Sequence, residues 1–238
     1  MLVITPYLAD NTTMRINKFI AMSTGLSRRA ADRAIADGLV HINGQVPSIG
    51  HEVTPSDQVT FKGQAVRPLQ VQTILLNKPA GYVTSRDGQG SVSVYDLLPP
   101  ALHHLKPVGR LDKHTSGVLL LTNDGDLAQT LTHPSRQKVK VYEVTLDKPL
   151  APLHHQMIHD FGVQLEDGRS QLGLERLIEG NDKQWRVIMH EGRNRQIRRT
   201  FESLGYRVVK LHRTQFGPYS LQGTASGKYR NLAPSNEQ

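Results

Sequence analysis

The apolar residues of this chain recur with a helical period near the N-terminus and in strand-length runs further along, and this change divides the sequence into two regions. The first region spans residues 14–61 and combines two short helical patterns with a turn signal. The second begins near residue 71, where strand and helix patterns follow one another without strict alternation. Because a doubly wound parallel sheet requires that alternation, the pattern favours an α+β fold.

The first region predicts two small helices and a hairpin. Ile16, Phe19 and Ile20 have helical spacing, and Ser27 suits the N-cap of a second helix that Gly38 can end in a left-handed conformation. The Asn-Gly pair in VHINGQV is typical of a type I′ hairpin turn. The helices also carry external cations that suit phosphate contacts. These cations are Arg15, Lys18, Arg28, Arg29 and Arg33.

Composition shifts give the expected domain boundaries. Residues 1–13 show no periodicity and are predicted to be a disordered leader, and the sequence leaves open whether Met14 is the true start. A small α/β domain is predicted at 14–62. Gly and Pro mark a linker at 63–70, and the larger domain is expected at 71–238.

The larger region contains five strand patterns and three helix patterns. Strands are predicted at 72–77, 117–122, 139–146, 184–190 and 206–212, and helices at about 125–132, 152–160 and 194–204.

Charge points to a polyanionic partner. Lys and Arg number 29 against 21 Asp and Glu, which gives a formal net charge of +8, and phosphates attract such a surplus. The chain has no cysteine, so disulfides, thiolate nucleophiles and Cys-ligated zinc are excluded. No apolar run approaches the roughly 20 residues that cross a bilayer, and the first residues lack the features of a secretory signal. We therefore expect a cytoplasmic protein.

The segment GRLDKHTSGVLLLT places Asp112 in a polar, glycine-bounded loop before a strongly apolar strand. A loop of this kind can face a cleft while the strand fixes its position. An isolated aspartate in a loop more often caps backbone N–H groups. Composition alone leaves both interpretations open.

Between Arg193 and Arg213 the sequence has seven basic residues against one acid, which suits phosphate contacts better than an ordinary solvated helix. Asn194 is a candidate N-cap for the helix in this segment. Arg198 adjoins the core-facing Ile197, so it is a candidate to reach inward and pair with a buried carboxylate.

In QKVKVYEVTL, the alternation places Tyr142 on the face opposite Val139 and Val141, together with Lys138 and Lys140. An aromatic ring beside cations suits stacking on an unstacked RNA base. A tyrosine that only covers core is the simpler alternative for this residue alone.

Other signals indicate no metal and no nucleotide cofactor. His155 and His159 lack a third ligand and the HExxH context. Asp124-Gly125-Asp126 lacks the remaining spacing of a calcium loop. The sequence contains no P-loop, GxGxxG or GxSxG motif.

The segment from Met14 to the VHINGQV turn resembles the S4-like RNA-binding domain first named in a ribosomal small-subunit protein. The blocks LNKPAGYVTS, VGRLDKHTSGVLLLTNDGDLAQTLTHPS, KVYEV and EGRNRQIRRTFESLGYRVVKLHRTQFGPYSL resemble, in order, those of ribosomal RNA pseudouridine synthases of the small-subunit type family, which includes large-subunit enzymes. The resemblance extends from Met14 to about Arg230. The ordered GRLD and arginine-rich blocks are its most specific part.

The resemblance implies an isomerase without cofactor or metal, built on a mixed, bent β-sheet with flanking helices and a central cleft. It implies that Asp112 is the essential aspartate, Tyr142 the active-site tyrosine and Arg198 the basic residue that pairs with the aspartate. The remaining cations are predicted to contact RNA; in the larger region they are Arg110, Lys138, Lys140, Arg193, Arg195 and Arg199.

The expected partner is ribosomal RNA or a pre-ribosomal particle, bound by a monomer that does not associate with membranes. The sequences of LTHPSR and of the arginine-rich block slightly favour 23S over 16S RNA as the substrate. A non-catalytic RNA-binding protein is the alternative from another class, and such a relative would be expected to have lost Asp112 or its partners.

Overall fold

The computed structural model describes residues 13–88 and 90–233. The chain forms two compact units, residues 1–72 and 73–238, and each is considered by itself. The predicted leader lies, apart from Thr13, outside the described residues. None of the helices in those two described stretches is long and apolar enough to cross a membrane.

The first unit packs two helices against short strands. The helices are α1 (Ile16–Thr24) and α2 (Arg28–Ala36), and the strands are β1 (Met14–Arg15), β2 (Val40–Ile42), β3 (Glu52–Val53), β4 (Val59–Phe61) and β5 (Gln64–Ala65). Strand β1 pairs with β3, and β4 lies between β2 and β5. The apolar stripe of α1 is buried as its spacing predicts.

The predicted capping of α2 is confirmed. The Ser27 hydroxyl accepts a hydrogen bond of 3.1 Å from the N–H of Ala30, which satisfies one of the free donors of the first turn. Beyond the other end of the helix, Gly38 adopts a φ of 68°, in the left-handed region.

Two turns with positive φ shape the small sheet. Asn43 and Gly44, with φ of 50° and 82°, form the predicted I′-like turn. The second arm of that hairpin is reduced to an isolated bridge, and β2 pairs with β4 instead. Lys62 and Gly63 also have positive φ and connect β4 to β5. The predicted linker at 63–70 is therefore wrong over its first residues, because its glycine belongs to a hairpin turn.

The second unit is built on a mixed nine-stranded sheet. Its strands are β6 (Thr73–Lys78), β7 (Lys106–Val108), β8 (Ser116–Thr122), β9 (Lys140–Leu146), β12 (Gly173–Arg176), β13 (Gln184–Met189), β14 (Val208–Phe216), β15 (Tyr219–Ser220) and β16 (Tyr229–Leu232). The central order is β12-β13-β9-β14-β8-β6-β16, with β7 paired to β8 and β15 to β14. A separate hairpin joins β10 (Val163–Leu165) to β11 (Gly168–Ser170).

The sheet is mixed because β14 runs parallel to β8 and antiparallel to β9. Its register shifts twice along β14, between Val208 and Lys210 and between Arg213 and Gln215. Such irregularities bend a strand and increase its twist. The expected α+β class with a mixed, bent sheet is confirmed.

Both faces of the central strands are buried. Leu76 and Leu119 belong to one core cluster, whereas the neighbouring Leu75 and Leu120 belong to another. Because successive strand residues point to opposite faces, a strand covered on both sides is apolar at every position. This explains why the sequence TILLN and the run VLLL show no alternation.

Three helices flank the sheet. They are α3 (Gly125–Thr132), α4 (Pro152–Gln156), which continues into one π-helical turn (Met157–Phe161), and α5 (Gln196–Glu202). All three fall within the predicted helical segments. The expected cap of α5 by Asn194 is wrong, since the N-cap is Arg195 in a left-handed conformation without a side-chain hydrogen bond.

Candidate active site

A cleft of about 1240 Å³ opens in the second unit. The loop after β7, the start of β9, the end of β13, the start of α5 and the middle of β14 form its walls. The predicted catalytic set, Asp112, Tyr142 and Arg198, lines this one cleft. So do the predicted RNA contacts Arg110, Lys138, Lys140, Arg193 and Arg195.

The GRLD loop presents Asp112 through backbone contacts. Leu111 is buried, and its N–H and carbonyl both contact the Thr84 hydroxyl, at 3.3 and 2.8 Å. The Asp112 carbonyl accepts a 3.0 Å hydrogen bond from the N–H of Thr115. No hydrogen bond or ion pair holds the partly exposed Asp112 carboxylate in the part of the chain that the structure describes. The loop is therefore fixed while its acid remains available to a ligand.

Lys78, which the sequence analysis did not single out, lies beneath this loop. Its side chain is fully buried at the end of β6. The ammonium donates to the carbonyls of Pro79 at 3.1 Å, Asp112 at 3.1 Å and Thr115 at 2.7 Å. Burial lowers the pKa of Lys78 to about 8, against the nearby charge of Asp112, which raises it. The sequence feature that could have identified Lys78 is its position between an apolar strand and Pro79.

Arg198 reaches inward as predicted but does not pair directly with Asp112. Its guanidinium donates to the carbonyl of Val208 at 2.9 Å and to that of His114 at 2.8 Å. No ion pair joins it to Asp112 among the residues with described coordinates, although the two charges interact at longer range. Burial lowers the pKa of Arg198, and the Asp112 charge raises it. The expected direct pair is thus replaced by a contact to the loop backbone two residues after the aspartate.

Tyr142 is only 8% exposed and lines the cleft from β9. Its side chain lies on the face opposite Val141, as predicted. It shares its own face with the buried Val144 and Leu146. It therefore belongs both to the core and to the cleft wall. Lys140 also lines the cleft, and its ammonium contacts the carbonyls of His190 at 3.4 Å and Glu191 at 3.2 Å.

Part of the predicted RNA-binding cluster is engaged by acids. Arg193 and Arg199 both bind Asp167, at 2.8 and 2.6 Å, and Arg195 lies 3.6 Å from Glu202. The Arg199 hydrogen bond is the main reason that the pKa of Asp167 lies below its usual value. The two Asp167 pairs attach α5 and the residues before it to the β10–β11 hairpin, whereas the Arg195–Glu202 pair lies within the α5 segment. The three arginines are consequently less available to phosphates than the sequence count suggests.

Two other arginines at the cleft are exposed and have no acidic partner in the described chain. Arg110 lies in the GRLD loop, and Arg169 lies on β11. Arg169 could not be placed from the sequence, because the strand patterns of 163–176 are too short. In the first unit, Arg28, Arg29 and Arg33 are exposed on α2 and Arg15 is exposed beside α1, whereas Lys18 is partly buried.

Among the described residues, no group of three or more His, Cys, Asp or Glu side chains is arranged to hold a metal ion.

Comparisons with known proteins identify the family. The RNA pseudouridylate synthase family profile matches residues 72–203, and the S4 domain profile matches residues 14–59. The chain is 37% identical over 226 residues to ribosomal large subunit pseudouridine synthase B of Bacillus subtilis (strain 168), covering 92% of each. It is 36% identical over 236 residues to the dual-specificity RNA pseudouridine synthase RluF of Escherichia coli (strain K12), covering 94% of this chain and 77% of RluF.

A solved structure agrees with these relatives. A crystal structure of a pseudouridylate synthase superposes with a TM-score of 0.65 at 32% identity, covering 92% of this chain and 96% of that one. The chain belongs to the RNA pseudouridylate synthase family and carries an S4 domain. It is accordingly an isomerase that acts on RNA, as the sequence resemblance implied.

Proposed function

We propose that this enzyme converts a specific uridine of ribosomal RNA into pseudouridine, with Asp112 as the catalytic residue. One observation carries the proposal. Two acidic residues line the cleft, Asp112 and Glu191, and Glu191 is engaged by Gln196 and Arg193. Asp112 is therefore the one carboxylate of the described cleft without a partner.

The reaction is an isomerisation, so it needs no net oxidation and no energy source. The bond between uracil N1 and ribose C1′ breaks, the ring turns, and C5 bonds to C1′ while the C5 proton is lost and N1 gains one. We propose that the target nucleotide flips out of its RNA stack into the cleft. Asp112 then acts as an anion, either as a nucleophile at the sugar or as a base that abstracts a sugar proton.

The surrounding residues support that anion without occupying its oxygens. Lys78 and Arg198 donate to backbone carbonyls of the loop, at Asp112, His114 and Thr115, and their charges attract the carboxylate. This arrangement orients the loop and leaves the carboxylate free for the substrate. Tyr142, which lines the cleft, is the proposed stacking partner of the flipped uracil.

The substrate is proposed from the relatives and the charge. Synthase B of Bacillus subtilis is named for the ribosomal large subunit, and RluF for a dual specificity. The S4 domain presents exposed arginines on α2, and the chain has a formal net charge of +8. We therefore favour 23S ribosomal RNA over 16S, bound by a monomer.

The test is tritium release from ribosomal RNA transcripts labelled at uridine C5, because isomerisation must expel that hydrogen. We expect release by the wild type and none by Asp112→Asn, with RNA binding retained. Asp182→Asn is the control, since Asp182 is a surface acid paired with Arg176 outside the cleft. Turnover by Asp112→Asn equal to that of the control would refute the assignment.

RNA binding without catalysis, the alternative from the sequence, is opposed by the family to which the chain belongs. Only an absence of release from 16S and 23S transcripts and from immature ribosomal subunits alike would favour it. Release from subunits alone would identify a pre-ribosomal particle as the substrate.

A further inference from the structure

Arg213 is a buried cation of the cleft that the mechanism above does not use. It lies on β14 and is 3% exposed, yet it lines the cleft. Its Nε donates to the carbonyl of Val118 at 2.8 Å, and its guanidinium carbon lies 4.8 Å from the centre of the Phe216 ring. The terminal nitrogens have no acceptor in the described chain, and Nη2 is buried without one. A buried donor without an acceptor is costly, so the site calls for a ligand oxygen.

The sheet places the Arg213 side chain next to that of Tyr142. Arg213 and Tyr142 are direct partners across the β14–β9 pair, and direct partners have Cβ atoms about 5 Å apart on one face of a sheet. The backbone of Arg213 also approaches β8 closely. A Cβ at Gly117 would lie 2.1 Å from the Arg213 carbonyl oxygen. Arg213 is thus held in place next to the proposed platform for the uracil ring.

The local charge is unbalanced. The Arg213 charge contributes to the lowered pKa of both Lys78 and Lys140, after burial in each case. Within the described cleft, Asp112 is the one unpaired acid to set against these cations. Negative charge that develops on a ligand at this position would offset the repulsion.

The depth of Arg213 favours the base over the phosphate as its ligand. Arg110 and Arg169 are exposed, whereas Arg213 is buried in the cleft wall. A flipped base enters a cleft first, while its phosphates remain continuous with the RNA outside. We propose that Arg213 donates a hydrogen bond to a carbonyl oxygen of the uracil and stabilises the ring as it leaves the sugar.

This inference rests on the proposed function and deepens it. When the N1–C1′ bond breaks, its electron pair stays on the ring, and N1, O2 and O4 share the negative charge. The sugar loses that electron pair at C1′. Asp112 compensates for the loss, either by forming a bond from its carboxylate to C1′ or by accepting a proton from the sugar. A donor fixed at O2 or O4 binds the charged ring more strongly than the neutral base, and it thereby lowers the barrier.

The test compares Arg213→Gln and Arg213→Lys with the wild type under single-turnover conditions at saturating enzyme, on whichever RNA or immature subunit the wild type modifies. Arg186→Gln is the control, because Arg186 is a surface arginine paired with Glu175. We expect Arg213→Gln to slow the reaction by about 100-fold, as loss of one such donor does in other enzymes. Arg213→Lys should be faster than Arg213→Gln, and the affinity for RNA should not change.

A substrate with a better leaving group separates catalysis from folding. Fluorine at uracil C5 withdraws electrons and stabilises the detached anion. We therefore expect the Arg213→Gln defect to shrink by at least about tenfold on RNA carrying 5-fluorouridine at the target. The reaction is followed by the disappearance of 5-fluorouridine from nucleoside digests, because the ring can detach and bond to C1′ through C5 while the fluorine stays on C5.

Three results would overturn the inference alone. An equal defect on both substrates would indicate a structural role. A loss of affinity with an unchanged saturated rate would indicate a phosphate contact. A wild-type rate in Arg213→Gln would show that the residue is dispensable. An inactive wild type on every RNA and subunit tested would instead overturn the proposed function and this inference with it.

Discussion

The buried ammonium of Lys78 gives the structure a distinctive dependence on pH. It makes three hydrogen bonds to loop carbonyls, and a hydrogen bond to a charged group contributes about 1.5–3 kcal/mol. The cost of burying the charge offsets part of the stabilisation from these three hydrogen bonds. The fall in pKa from 10.5 to about 8 corresponds to about 3 kcal/mol, since one pKa unit is about 1.4 kcal/mol. At neutral pH we therefore expect Lys78→Met to lower the free energy of unfolding by about 3 kcal/mol.

The pH dependence follows from the sign of the shift. Between the folded pKa of about 8 and the unfolded value of 10.5, the unfolded chain binds more protons at Lys78 than the folded chain does. Wild-type stability consequently gains a contribution of about 1.4 kcal/mol for each pH unit in this window, and Lys78→Met lacks that contribution. The stability gap between the two proteins should widen as the pH rises above about 8. Activity should change in the opposite direction, because a neutral amine no longer attracts the Asp112 carboxylate.

Urea unfolding of both proteins across this pH range measures the gap, and single-turnover rates measure the activity. Lys183→Met is the control, because Lys183 is exposed and its ammonium has one contact, 3.3 Å from the Asp147 carbonyl. Because Lys183→Met keeps Lys78, its gap to the wild type should not show the widening above about pH 8. A Lys78→Met gap that stays constant or narrows above pH 8 would refute the proposed burial of charge at this site.

Two further predictions concern the strand junction and the cleft mouth. Gly117→Ala should destabilise the protein by at least about 2 kcal/mol, measured by urea unfolding. The reason is that the new Cβ would lie 2.1 Å from the Arg213 carbonyl oxygen, at a backbone φ of 109°. A variant as stable as the wild type would contradict the tight β8–β14 contact. Arg110→Gln and Arg169→Gln should each reduce the slope of log affinity against log salt concentration by about 1, whereas Arg199→Gln should not. Equal slopes for all three variants would show that the Asp167 pair does not withhold Arg199 from phosphates.

The sequence predicted the elements whose apolar pattern is long enough to fix their type. Helix α3 was predicted with its observed bounds, and β6, β8 and β9 were predicted to within about one residue. The short strands of 163–176 and the strand at 106–108 were missed, because three or four residues give no measurable period and their pairing is decided by distant partners. The predicted linker was wrong over its first residues for a local reason, since Gly63 is as suited to a hairpin turn as to a flexible connection.

The candidate site was predictable in its membership more than in its contacts. Asp112, Tyr142 and Arg198 line one cleft, as the resemblance implied. Which acid each arginine meets depends on tertiary distances that charge counting cannot supply. Asp167, for example, binds Arg193 and Arg199, which are 26 and 32 positions away from it in the sequence. Lys78 escaped notice because a lone lysine at the end of a strand is usually solvated.

The contacts of Lys78 and Arg198 explain how one aspartate can be both held and available. A direct ion pair would occupy the carboxylate oxygens that act on the sugar in the proposed mechanism, and a substrate would have to displace it. Here both cations donate to carbonyls of the same loop, which fixes the loop and keeps their charge near Asp112. The attraction acts through space, whereas the hydrogen-bonding capacity of the acid remains free. Burial makes this arrangement effective, since charges away from water are screened less.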